Sequence, residues 1–144
     1  MTFFNRIQSC ALALMLSLAG SAASADVVPV VSSKSPVYEL SRNQVVDIFL
    51  GKANRFPNGE LAVPIDQAEG SEVRDAFYRQ FTNWTDAQLK AHWSKIVFTG
   101  KGQPPREVSL SERVKKLLAD NPNFIGYIDR ADVDANVKVV LLAK

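Results

Sequence analysis

Residues 61–81 read LAVPIDQAEGSEVRDAFYRQF, and the fold turns on how this stretch is parsed. Leu61–Ile65 is a short, near-continuous apolar run behind the turn residues Pro57-Asn58-Gly59, the signature of a strand covered on both faces. Gly70 and Ser71 break it, and from Ser71 onward Val73, Ala76, Phe77 and Phe81 fall on one face of a helix. A buried strand that passes through a glycine and a capping serine into an amphipathic helix is the βα half of an α/β unit.

The same reading extends outward in both directions. Ser41 with Gln44 forms a capping box ahead of Val45, Ile48 and Phe49, and Gly51 stops that helix. Thr85 with Gln88 opens another, whose stripe is Leu89, Trp93, Ile96 and Val97. A fourth helix is expected from Ser109, with Glu112 in the box and Leu110, Val114, Leu117 and Leu118 buried. Val27–Val31, Phe124–Tyr127 and Val137–Leu142 read as further strands. The predicted order is strand, helix, strand, three helices, two strands, which gives a mainly parallel sheet flanked by helices. Asn121-Pro122-Asn123 is a turn, and residues 100–106 (GKGQPPR) form the one long irregular loop.

The first residues belong to a different class of segment. Arg6 supplies a positive charge, Ala11–Ala19 an apolar core too short for a permanent membrane span, and Ala23-Ser24-Ala25 the small residues before a cleavage point. Residues 1–25 are therefore expected to be a secretory signal peptide, leaving Asp26–Lys144 as one domain, periplasmic after export and without a membrane span. The only cysteine, Cys10, precedes the apolar core and leaves with the leader. Of 17 basic residues Arg6 also leaves, so 16 face 15 acidic ones without any block of like charge. That balance argues against nucleic acid or an anionic membrane surface as the partner.

Catalytic chemistry is poorly provided for, and an enzyme is not expected. His92 is the only histidine and sits in a helical pattern beside Trp93, so neither a serine–histidine pair nor a histidine-based metal site is supported, and no cofactor is called. Gly100-Lys101-Gly102 lacks the spacing of a phosphate loop. Asp66, Glu69, Glu72 and Asp75 cluster near a helix start, where acids are favoured by the dipole. Asn83-Trp84-Thr85 matches a glycosylation sequon, but Thr85 has a capping role. The informative constellation is Gln67-Ala68-Glu69-Gly70-Ser71-Glu72-Val73-Arg74. A glycine and a serine at a helix N-terminus offer backbone N–H groups and a hydroxyl to an oxyanion, at the strand end where open α/β sheets bind ligands. Arg74 would add a charge. On the pattern alone, a capped helix with an exposed arginine is the plainer reading.

Several motifs together resemble a known family. Leu40-Ser41-Arg42-Asn43-Gln44 leads into Ile48-Phe49-Leu50-Gly51-Lys52, followed by Asn58-Gly59, Val63-Pro64, Glu69-Gly70-Ser71 with Phe77, Trp93, Phe98-Thr99-Gly100 and Phe124-Ile125-Gly126-Tyr127. In this order they resemble one lobe of the phosphate-binding receptors of bacterial ABC uptake systems, which have the type 2 periplasmic binding fold. The resemblance covers nearly all of Val27–Leu141. The receptors' loop R-x-D-G-S-G-T aligns on Gln67, Glu69, Gly70 and Ser71, with Glu72 and Val73 replacing its last glycine and threonine.

The resemblance implies a solute-binding protein that takes phosphate or a similar oxyanion through Gln67, Glu69, Gly70, Ser71, Glu72 and Arg74. Glu69 would accept a ligand proton, and Lys101 or Arg106 would close over the site. Such receptors enclose the ligand between two lobes, so a single lobe implies a homodimer or an envelope protein as the second wall. The altered loop leaves a second reading open, a non-transport envelope interaction or sensor-accessory module that kept the fold.

Overall fold

The computed structural model describes residues 25–144, so the leader expected over residues 1–25 lies, apart from Ala25, outside the described residues. Seven strands and four helices follow one another as β1 (Val27–Ser32), β2 (Glu39–Ser41), α1 (Arg42–Phe49), β3 (Val63–Gln67), α2 (Glu72–Thr82), α3 (Asp86–Phe98), β4 (Arg106–Val108), α4 (Ser111–Asp120), β5 (Phe124–Asp129), β6 (Val137–Val139) and β7 (Leu141–Ala143), with a 3-10 turn at Arg130–Asp132. Five strands form the central sheet in the order β4-β3-β5-β1-β6. β3 pairs parallel with β4 and β5, whereas β1 pairs antiparallel with β5 and β6. Four strands thus run one way and β1 runs against them, a mainly parallel sheet as expected. β2 and β7 pair in a separate two-stranded parallel ribbon.

Alternation along β1 and β5 divides the core in two. Val27, Val31, Ile125 and Tyr127 face α1, α2 and α3, while Val28, Val30 and Ile128 face α4. The first face is aromatic: Phe77 stacks on Tyr127 with centroids 4.0 Å apart, and Phe49 meets Phe77 edge-on at 4.8 Å. Each such ring, fully buried, contributes roughly 1.5–3 kcal/mol of hydrophobic stabilisation. On the second face Gly126 lets α4 approach, since a Cβ there would lie 2.6 Å from Val114 Cγ1.

The capping boxes of α1 (Ser41 with Gln44) and α3 (Thr85 with Gln88) form as read. Three expectations need correction. β3 begins at Val63 and runs to Gln67; Leu61 is exposed and lies in an isolated bridge to Arg55. The expected strand Val137–Leu142 is two strands, because β6 pairs with β1 and β7 with β2. α4 starts at Ser111, not Ser109: Leu110 occupies the N-cap, 61% exposed and without a side-chain cap. β2 and β4, three residues each, went unread because their partners lie far away in sequence.

Candidate functional site

The site grows out of the carboxyl end of β3. Gly70 takes φ +88°, a conformation only glycine adopts freely, and turns the chain from the strand into α2. Ser71 then caps α2, its Oγ accepting from the Arg74 N–H at 3.3 Å. With that serine in place, the Glu72 and Val73 N–H groups have no partner within the helix. The Ser71 hydroxyl donates to Gln67 Oε1 at 3.3 Å. Gln67 is buried, and its Nε2 donates to the Tyr127 carbonyl at 3.0 Å and to Ser111 Oγ at 3.3 Å.

Gln67 therefore ties together the starts of two helices. α2 follows β3 onto one face of the sheet and α4 follows β4 onto the other, although β3 and β4 are parallel neighbours. This divergence is the switch point at which open α/β sheets form a ligand crevice. α4 is the less satisfied of the two, because Leu110 has no side-chain acceptor and the Arg113 and Val114 N–H groups return only to its carbonyl. Two helix N-termini and two hydroxyls converge on one glutamine, which suits a small oxyanion.

The other expected residues fall in different places. Glu69 is exposed and ion-paired with Lys90, and Glu72 is exposed at the first turn of α2. Arg74 is not the exposed arginine of the plainer reading: it is 6% exposed. Its guanidinium stands 3.7 Å from Asp66 and from Asp86 and 3.9 Å from Glu107, among carboxylates of β3, α3 and β4. Among the described residues, Arg74 Nε and Nη1 have no hydrogen-bond partner. Lys101 and Arg106 do not reach the crevice. They line a groove with Trp93 and Phe124 at the amino ends of β3 and β5, the opposite edge of the sheet.

Behind the crevice sits a polar knot that the sequence did not disclose. Asp66 is buried and accepts from the Tyr78 hydroxyl at 2.7 Å, from the Tyr127 hydroxyl, and from the Gln67 N–H at 2.9 Å. Burial pushes its carboxyl above the ordinary aspartate value, while the two tyrosines, Arg74 and the Gln67 N–H pull it back. Burial and Asp66 together hold both tyrosines well above their usual range. This fixes the end of β3, and with it Gln67. His92 Nε2 donates to the Leu50 carbonyl at 2.8 Å, as a structural residue of α3. No group of His, Cys, Asp and Glu side chains that would hold a metal ion occurs among the described residues. Ser111 was missed, and Asp66 was read only as one of the acids near a helix start, for the same reason: their roles arise from β3–β4 pairing and from Tyr127, sixty-one positions beyond Asp66.

The architecture has solved counterparts. A protein from Clostridium perfringens assigned as a phosphate ABC transporter substrate-binding protein, solved with bound phosphate, superposes with a TM-score of 0.62 at 24% identity over 79% of this chain. The fold is that of a periplasmic binding protein lobe. An ABC-type phosphate transport receptor from Vibrio cholerae matches over 79% of the chain (TM-score 0.57, 19% identity), and PstS from Borrelia burgdorferi over 72% (TM-score 0.55, 13% identity). The chain spans less than half of each of these proteins: 43%, 44% and 40% of their respective lengths. No family model and no curated protein matches the sequence. No helix among the described residues is long and apolar enough to cross a membrane.

Proposed function

We propose that this protein is a periplasmic solute-binding lobe that takes phosphate or a similar oxyanion in connection with ABC-type uptake, and that it is not an enzyme. The observation that carries the reading is the Gln67 bridge, which holds the Ser71 and Ser111 hydroxyls and two helix starts around one point at the end of β3. The fold shared with phosphate receptors supports it. In this reading residues 1–25 are the export leader and residues 26–144 form the binding domain. The Glu72, Val73, Ser111 and Glu112 N–H groups and the two hydroxyls surround the anion. Gly70 permits the close turn, Glu69 accepts a proton from hydrogen phosphate with Lys90 offsetting its charge, and Arg74 acts at longer range.

The exposed carboxylates at the crevice favour a second reading. Glu69, Glu72 and Glu112 all border it, and an anion must approach them. A basic segment of an envelope or sensor protein would meet the same acids favourably, as an interaction module requires.

Calorimetric titration with phosphate and sulfate at neutral pH separates the two. The expected result is saturable binding, weakened in Ser71→Ala and in Ser111→Ala and strengthened in Glu72→Gln, which removes a repelling charge. An absence of both heat and thermal shift at about 10 mM anion would overturn the oxyanion reading, since so weak a site is worth less than about 3 kcal/mol.

A further inference from the structure

A second cleft lies at the other end of the sheet from the crevice, and prolines keep it open. β3 and β4 pair from Ile65 and Arg106 onward. The same register carried backward would set Pro64 beside Pro105 and Val63 beside Pro104. Proline has no N–H to give to a ladder, so the pairing stops there. The start of β3 and the segment leading into β4 instead line a groove of about 400 Å³, within the range of small-ligand pockets.

Its lining combines an apolar wall with charge of one sign. Trp93, Ala62, Val63 and Phe124 form the wall. Gly51 makes room for the tryptophan, since a Cβ there would lie 2.8 Å from the indole ring. Lys101 and Arg106 supply the charge, and no carboxylate among the described residues lines the groove. Neither cation belongs to an ion pair among the described residues, and both are exposed. Two cations beside a low-dielectric wall concentrate anions. A hydrated inorganic oxyanion leaves that wall unused, and a neutral apolar ligand leaves both cations unused. An apolar body ending in a carboxylate uses the two together, with the Arg106 fork suited to both carboxylate oxygens. We infer that this groove binds a small amphipathic carboxylate, its ring or short chain against Trp93 and Val63 and its carboxylate on Lys101 and Arg106. The inference stands apart from the oxyanion reading, because the two sites lie at opposite ends of β3 and share no residue.

The test titrates the intact protein with benzoate, phenylacetate and hexanoate, and with acetate, benzylamine and phosphate as controls. The readout is the backbone N–H resonances of Val63, Gln103 and Arg106, which report from both sides of the groove. At least one of the three amphipathic acids is expected to shift them saturably. Acetate, which lacks the apolar body, and benzylamine, which reverses the charge, are expected to bind at least about tenfold more weakly. Lys101→Gln and Arg106→Gln, both at exposed positions, are each expected to weaken the binding about tenfold by removing one charge-assisted contact. Phosphate is expected to leave these resonances in place, whatever it does at the crevice. No shift with any of the three acids at about 10 mM would overturn the inference. So would acetate or benzylamine binding as tightly as the amphipathic acids, or unaltered affinity in both charge variants.

Discussion

Asp66 shows how one side chain couples the site to the stability of the sheet. Its carboxyl is held above the ordinary aspartate value chiefly by burial, against the pull of Tyr127, Tyr78, Arg74 and the Gln67 N–H. The folded protein therefore keeps the Asp66 proton to a higher pH than the unfolded chain, whose aspartates titrate near about 3.9. Between those two values the native state binds more protons, so stability is greatest below the unfolded value and declines as pH rises through the folded one. Urea midpoints measured across the weakly acidic range should fall with rising pH for the parent protein, and Asp66→Asn should flatten that fall. Parallel profiles for the two would show that burial of Asp66 does not govern the titration. Tyr127→Phe takes away a donor to the carboxylate, costs about 1–3 kcal/mol at neutral pH, and should carry the decline to higher pH.

The helix start at α4 is the element on which the proposed anion binding and stability pull in opposite directions. Leu110 already has the backbone of an N-cap (φ −137°, ψ 145°) and buries little. Leu110→Asn would supply the missing acceptor to the first-turn N–H groups, worth about 1 kcal/mol, or about 3–5 °C in Tm for a domain of this size. In the proposed site the same N–H groups face the anion, so phosphate binding should weaken as Tm rises. A higher Tm with unchanged phosphate affinity would remove α4 from the site. Elements of this kind mark the boundary of what a sequence discloses. α1 and α3 were legible because cap and apolar period lie within a few residues of each other, at Ser41–Gln44 and Thr85–Gln88. At α4, Ser109 and Glu112 imitate a capping box that the approach of β4 to β3 overrides. Gln67 and Ser71 were visible at a strand–helix junction. Ser111 was not, and neither was the burial of Arg74, because Glu107 and Asp86 reach that arginine only through tertiary pairing.

For the molecule as a whole, the proposed oxyanion binding turns on how much of a ligand one lobe can cover. The chain spans 43% of the phosphate-bound protein from Clostridium perfringens, and the candidate site lies at the open carboxyl end of β3. At an open edge water screens each charge: a contact at 4 Å is worth about 1 kcal/mol in bulk solvent against about 4 kcal/mol near a protein surface of effective dielectric 20. If two walls together give about −8 kcal/mol, one wall gives about −4 kcal/mol, or a Kd near 1 mM. The protein as a monomer should therefore bind phosphate at about that strength, and more weakly as ionic strength rises. Sedimentation in the presence and absence of phosphate decides what supplies the other wall. Micromolar binding accompanied by a doubling of mass would mean that a second copy closes over the crevice. Micromolar binding with no change of mass would refute the one-wall argument itself, because the crevice would then be enclosing the anion without help.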